Sequence, residues 1–114
     1  MKTLRRGLVA LVRLDPAEGR EIRKTRPAVV VSNDAACRFD AVVQVVPLTG
    51  MADRELRPYE SLVESTESGV NKASRAVANQ VRTIARERIT RHLGSINDEE
   101  LEALDRALRI QLGL

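Results

Sequence analysis

The chain has 114 residues, of which 43% are hydrophobic and 31% charged, and its net charge is +3. This size and balance are typical of one globular domain, 1–114, whose core must be aliphatic because Phe39 and Tyr59 are the only aromatic residues. The single Cys37 excludes an internal disulfide, the single His92 excludes a multi-histidine zinc site, and two rings are too few for a base-stacking platform.

We expect neither a membrane span nor a targeting segment in this chain. No apolar run approaches the ~20 residues that a membrane helix needs. The basic start, MKTLRRG, is followed by no apolar stretch long enough for a signal peptide. We therefore expect a cytoplasmic protein with no membrane partner, and we expect no metal and no cofactor.

The first half of the chain predicts three strands. Leu8–Leu14 alternates partly between apolar and polar residues, which favours a strand. Ala28–Ser32 is a continuous β-branched run, as expected for a strand that is buried on both faces. The polar segment Asn33–Asp40 predicts a turn, and Ala41–Pro47 predicts the third strand.

The second half predicts three shorter strands. The segments Glu60–Glu64, Ser74–Asn79 and Val81–Ala85 alternate well enough for strands, and Glu67–Lys72 between the first two predicts a turn. Arg86–Arg88 predicts a short helical turn.

The end of the chain predicts a capped amphipathic helix. Asn97 and Glu100 form a capping-box pattern, leucines follow at spacings of three and four, and Gly113 ends the segment Asp98–Leu112. Together these elements predict a mainly β protein with a C-terminal helix. A small, strongly bent SH3-like barrel of five to six short strands is the expected architecture.

A second apolar surface is suggested by residues outside the main stripe of that helix. Ile110 and Leu114 lie off the stripe, and the strand around Ser74, Ala76 and Ala78 carries small side chains. These residues either belong to a homodimer interface or widen the face that the helix buries against its own core.

The segment between the first two strands is the most informative part of the sequence. Asp15–Thr25 carries three positive and three negative charges, and Arg26 follows it directly before Pro27. A strand on each side holds such a loop at both ends. This arrangement suits a site that binds phosphate and moves protons without a metal.

Several short motifs resemble, in their order and spacing, the MazF/PemK family of toxins. The matching segments are LDP at 14–16, G-x-E-x-x-K-x-R-P at 19–27, AVVVSND at 28–34, VVPLT at 45–49, NQVRTI at 79–84, and Arg88 followed by HLGSI at 92–96. The resemblance runs nearly from end to end.

The resemblance implies a fold, an activity and three reactive positions. Family members are homodimers of SH3-like barrels that cut single-stranded RNA, mainly mRNA, at short motifs without a metal, and a cognate antitoxin protein blocks the RNA groove. The family's reactive arginine corresponds to Arg26, its reactive threonine to Thr49 and its loop glutamate to Glu21. Arg20 departs from the pattern, since many members carry a small residue there.

Metal-free RNA cleavage requires three groups around the phosphate. The ribose 2′-hydroxyl attacks phosphorus, so the reaction needs a base, a positive charge for the pentavalent intermediate and an acid for the leaving oxygen. Arg26 can bind two phosphoryl oxygens, and Thr49 can donate its hydroxyl to the same group. Glu21 either accepts the proton or only orients the loop. The structural alternatives are an ion pair of Arg26 with Glu18 or Glu21, and a turn-forming hydroxyl for Thr49.

A second group of residues is predicted to bind RNA without reacting. Its members carry a cationic or hydrogen-bonding side chain on the loop or on a short strand: Arg20, Lys24, Lys72, Ser74, Gln80 and Arg82.

Two other functions are compatible with a small barrel. One is a toxin that poisons gyrase by protein contact, and the other is a non-catalytic barrel that binds RNA or a peptide.

Overall fold

The computed structural model describes residues 3–114. The elements in chain order are β1 (Leu8–Arg13), β2 (Thr25–Val30), α1 (Asp34–Phe39), β3 (Val42–Gly50), β4 (Glu60–Val63), β5 (Ser74–Val77), β6 (Arg82–Ala85), β7 (Ile89–Ser95) and α2 (Asp98–Leu112). Three 3-10 turns cover Thr66–Ser68, Ala78–Gln80 and Arg86–Arg88. In this part of the chain, no helix is long and apolar enough to cross a membrane.

The strands form one antiparallel sheet around the long central strand β3. Strands are hydrogen-bonded in the order β4-β5-β3-β2-β1-β7. Strand β6 lies outside this order and pairs with the beginning of β3, whereas β5 pairs with the end of β3. In the β1–β2 ladder Val9 faces Val29, and in the β2–β3 ladder Val29 faces Val46. The prediction of a mainly β protein with a C-terminal helix is therefore confirmed.

The closed barrel and the strand count were predicted incorrectly. Within residues 3–114 the sheet has seven strands, and the end strands β4 and β7 do not pair with each other, so the sheet is open. The turn Thr66–Ser68 lies across this gap against β7. A Cβ atom added at Gly94 would lie only 2.2 Å from the carbonyl oxygen of Glu67. The backbone of this turn therefore lies directly against the backbone of β7, where a closed barrel would have a hydrogen-bonded ladder.

Two elements were absent from the predicted set. The region predicted as a turn, Asn33–Asp40, contains the short helix α1, which begins where the Asn33 side chain accepts a hydrogen bond from the Ala36 N–H at 2.9 Å. The segment Ile89–Ser95 is the seventh strand, held by an irregular ladder with β1. Its exposed polar residues obscure the alternation that would predict a strand.

The two faces of the sheet pack into separate cores. Residues such as Val12, Val30 and Val45 form one core with Cys37 of α1, while the opposite face packs against Leu104 of α2. Because neighbouring residues of β2 point into different cores, its run of β-branched residues is buried on both faces, as predicted.

The capping box of α2 is confirmed. The Asn97 side chain accepts from the Glu100 N–H at 2.8 Å, and the Glu100 carboxylate accepts from the Asn97 N–H at 3.0 Å. That carboxylate also accepts from the N–H groups of Glu64 and Ser65, at 2.7 and 3.0 Å. Burial raises the pKa of Glu100, but a hydrogen bond from the Ser65 hydroxyl, together with these backbone hydrogen bonds, outweighs it and the pKa is lowered. One buried carboxylate therefore joins the helix to the chain after β4.

The proposed second apolar surface is only partly present. Ala76 and Ala78 are fully buried inside the chain and are not available to a partner, and Ala76 lies in the same core as Leu104 of α2. Ile110 and Leu114 are 59% and 87% exposed, so the end of α2 does present apolar side chains.

We expect Gly94→Ala to destabilise the fold by about 1–3 kcal/mol, because its methyl group would displace the backbone of the Thr66–Ser68 turn. Gly50→Ala is the control, since a Cβ there meets no atom within 4 Å. Urea denaturation followed by circular dichroism measures both variants. Equal stabilities of the two variants would show that the turn is not held against β7 as described.

Candidate active site

The charged loop between β1 and β2 is closed at its base by a backbone hydrogen bond. The Leu14 N–H donates to the Lys24 carbonyl at 2.8 Å. Lys24 adopts a φ of +70°, a left-handed conformation that turns the chain into β2. The expectation that a strand on each side holds the loop is confirmed.

Side chains from the second half of the chain hold the body of the loop. The Gln80 amide accepts from the Ile22 N–H at 3.1 Å and donates to the Arg20 carbonyl at 3.2 Å. Arg82 donates to the Leu14 carbonyl at 3.0 Å, and Arg88 donates to the Arg13 carbonyl at 2.9 Å. Two of the predicted RNA ligands, Gln80 and Arg82, are therefore occupied in shaping the loop.

Arg26 lies inside β2, opposite Val12 of β1, and is half-buried. Its Nε donates to the Arg23 carbonyl at 3.3 Å. Its two terminal amino groups have no acceptor among residues 3–114, and in that range the side chain forms no ion pair. The alternative of a purely structural ion pair with Glu18 or Glu21 is therefore wrong. The guanidinium is fixed at one nitrogen and has free donors on the other two.

Thr49 lies near the end of β3 on the strand next to Arg26. The β2–β3 ladder ends at the pair Ala28 and Pro47, two residues short of Arg26 on β2 and of Thr49 on β3. The Thr49 hydroxyl makes no hydrogen bond with any described residue. Thr49 lines an open cleft of about 340 Å³, and Arg26 is not among the residues that line that cleft.

Glu21 is exposed and faces its own loop. Its Oε1 accepts a hydrogen bond from the Glu18 N–H at 2.6 Å, and the Glu21 N–H donates to the Glu18 carbonyl at 3.0 Å. These bonds stabilise the turn at the tip of the loop. The geometry therefore shows an orienting contact, and the role of general base stays a prediction.

The other predicted RNA ligands divide between two clefts. Arg20 lines the same cleft as Thr49. Lys72 and Ser74 line a second cleft of about 430 Å³, on the far side of Pro27, where the Ser74 hydroxyl donates to the Lys72 carbonyl at 3.0 Å. Lys24 is exposed at the end of the loop. Both clefts thus carry predicted cations, and Arg26 lines neither of them.

A cluster of three charged residues in the Thr49 cleft was not predicted from the sequence. The Glu60 carboxylate accepts from Arg54 at 2.8 Å and also from Arg75, and its side chain is only 1% exposed. Hydrogen bonds from Arg54 are the largest of the influences that lower the pKa of Glu60 to about 2. These residues lie on separate segments that approach one another only in the folded chain. The one available signal was that Arg75 follows Ser74, already singled out, on the same short strand.

Comparisons with known proteins decide the family. The model of the PemK-like, MazF-like toxins of type II toxin–antitoxin systems matches residues 5–112. The chain belongs to this family. A curated relative, the endoribonuclease MazF9 of Mycobacterium tuberculosis (strain ATCC 25618 / H37Rv), is 41% identical over 97% of this chain and 98% of its own length. The resemblance to MazF/PemK toxins seen in the sequence is therefore confirmed.

Solved structures show the same fold. MazF from Deinococcus radiodurans covers the whole chain, and is itself wholly covered, with a TM-score of 0.84 at 23% identity. A mycobacterial endoribonuclease in complex with its cognate antitoxin covers 97% of this chain and is covered over 96%, with a TM-score of 0.78 at 23% identity. At these identities the likeness concerns the fold alone.

Proposed function

We propose that this MazF-type endoribonuclease toxin cuts single-stranded RNA, chiefly mRNA, at a short sequence motif and without a metal ion. The ribose 2′-hydroxyl attacks the adjacent phosphorus and expels the 5′-oxygen of the next nucleotide. The products carry a 2′,3′-cyclic phosphate and a 5′-hydroxyl. The MazF family match favours this activity over a gyrase poison or a non-catalytic barrel.

The observation that carries the proposal is the state of Arg26. A guanidinium that makes one long hydrogen bond through Nε and has unused donors on both terminal nitrogens can bind two oxygens of one phosphate. Such a preorganised cation stabilises the charge that develops on the pentavalent phosphorus at little reorganisation cost. A cation already paired with a carboxylate would do this less well.

Thr49 and Glu21 take the two supporting roles. The unengaged Thr49 hydroxyl, on the strand that pairs with the strand of Arg26, donates to the same phosphate. Glu21 acts as the base in this proposal, after its contact with the Glu18 N–H is exchanged for one with the substrate hydroxyl. The remaining predicted ligands, Arg20, Lys24, Lys72 and Ser74, bind flanking nucleotides from the two clefts, while Gln80 and Arg82 act by holding the loop that faces the RNA.

The proposed partners of the chain are a second copy of itself and an antitoxin. The open sheet with its C-terminal helix acts as one domain, 1–114. We propose a cytoplasmic homodimer that uses the exposed apolar end of α2 at Ile110 and Leu114, and a cognate antitoxin that covers the RNA clefts. Light scattering should give twice the chain mass, and a monomer at micromolar concentration would refute the dimer.

The test of the activity is incubation of the purified protein with a long RNA in excess EDTA, followed by mapping of the RNA ends. We expect cuts at one recurring motif, with cyclic-phosphate and 5′-hydroxyl termini. RNA that stays intact in EDTA but is cut with added Mg²⁺ would refute the metal-independent mechanism.

A further inference from the structure

A second fixed cation, Arg75, stands next to Thr49. Arg75 lies on β5 and faces Thr49 directly in the β3–β5 ladder. Its Nε donates to the carbonyl of Gly50 at 3.0 Å, one residue beyond Thr49, and its Nη1 donates to the Glu60 carboxylate. Two bonds in different directions fix the plane of this guanidinium.

The Glu60 carboxylate binds two guanidiniums and one backbone N–H group. Its carboxylate accepts from both terminal nitrogens of Arg54, at 2.8 and 3.0 Å, from the Arg57 N–H at 2.9 Å, and from Arg75. Its side chain is 1% exposed, whereas those of Arg54 and Arg75 are 32% and 20% exposed. The carboxylate is thus withdrawn from solvent while the two guanidiniums face the cleft.

The cluster leaves positive charge unbalanced where RNA is proposed to pass. Two guanidiniums against one carboxylate give a net charge of +1, and Arg20 lines the same cleft. Nη2 of Arg75 has no acceptor among residues 3–114. A free, oriented N–H beside Thr49 is suited to a phosphate oxygen.

We propose that Arg75 binds the RNA phosphate that neighbours the scissile one, and that Glu60 is the positioning residue that aims its guanidinium at that phosphate. This inference rests on the proposed function, because it needs RNA to cross the Thr49 cleft. Arg75 then acts on affinity and on the placement of the strand, while Arg26 acts on the reacting phosphorus.

The test measures binding of an RNA that contains the cut motif and cannot be cut, because the nucleotide 5′ of the scissile bond carries deoxyribose. We expect Arg75→Ala to weaken binding about tenfold, as expected for one charge-assisted contact, and to reduce the salt slope by about 0.7. Arg106→Ala, which removes an exposed charge from α2, is the control and should bind as the parent does.

A substrate scan separates direct contact from a merely structural effect. Replacing one phosphate at a time with a neutral methylphosphonate should cost the parent protein about tenfold at one linkage beside the cut. The same replacement should cause no further loss of affinity in Arg75→Ala. In Glu60→Gln it should cause a smaller loss of affinity than in the parent, at that linkage alone. Arg75→Lys, which keeps the charge but not the fork, provides the same comparison if Arg75→Ala does not fold.

Failure of the inference about Arg75 can be distinguished from failure of the proposed function. If Arg75 variants respond to every neutral linkage as the parent does, the inference is wrong while the proposed function stands. If the parent protein cuts no RNA in EDTA, the proposed function itself fails, and the inference fails with it.

Discussion

Arg26→Ala should reduce the rate of cutting of bound RNA by about 10²–10³-fold, equivalent to about 3–4 kcal/mol of transition-state stabilisation. The loss follows from removing the donors that face the pentavalent phosphorus. Stability should change little, because the side chain makes one long hydrogen bond and no ion pair within residues 3–114. Single-turnover cleavage with protein in excess measures this rate apart from affinity.

Two further variants test whether geometry or charge matters at Arg26. Arg26→Lys keeps the charge but cannot bind two oxygens at once, so we expect it to lose most of the activity as well. Arg23→Ala removes a cation from the same loop, where the guanidinium only contacts the Gly19 carbonyl, and should stay within about threefold of the parent. A full rate for Arg26→Ala would show that the reaction takes place elsewhere.

Glu60→Gln should lower the free energy of unfolding at pH 7 by about 3 kcal/mol. The Glu60 pKa is lowered from 4.5 to about 2 in the folded chain, chiefly by hydrogen bonds from Arg54, and each unit corresponds to about 1.4 kcal/mol. A depressed pKa stabilises the fold above pH 4.5, and that contribution is lost as the pH falls from 4.5 towards 2.

Urea denaturation between pH 2 and pH 7 measures the Glu60 contribution directly. The parent and Glu60→Gln should differ most above pH 5 and converge near pH 2. Glu102→Gln is the matched control, since its carboxylate is 76% exposed and lies 3.8 Å from Arg106. We expect it to change stability by less than about 0.5 kcal/mol. A difference between parent and Glu60→Gln that is constant with pH would contradict a buried, ionised Glu60.

Local patterns predicted the elements whose signals are contained in one segment. The capping box at Asn97 and Glu100 and the leucine spacing placed α2 correctly, and the β-branched run placed β2. The short helix α1 was missed because its Asn33 cap resembles a turn signal. The open seam depends on the backbone contact at Gly94, between segments that are distant in sequence.

The residues of the candidate site also fall into those that local motifs predict and those that only the folded chain reveals. The places of Arg26 and Thr49 near the ends of two neighbouring strands could be predicted from motifs that resemble the family, while their roles in the reaction stay predictions. The hydrogen bonds of Gln80 and Arg82 to the loop could not, because a polar side chain on a short strand gives no sign of its partner. The Glu60 cluster could not be predicted either, because it depends on the pairing of β4 with β5.

One measurement tests the central claim most directly: cleavage of the mapped motif in EDTA after a single deoxyribose replaces the ribose 5′ of the cut. If Arg26 stabilises attack by the neighbouring 2′-hydroxyl, this RNA should bind as tightly as its ribose counterpart and show no cut at that position. Undiminished cleavage of the deoxyribose linkage would mean that water is the nucleophile, and it would contradict the role assigned to the Arg26 site.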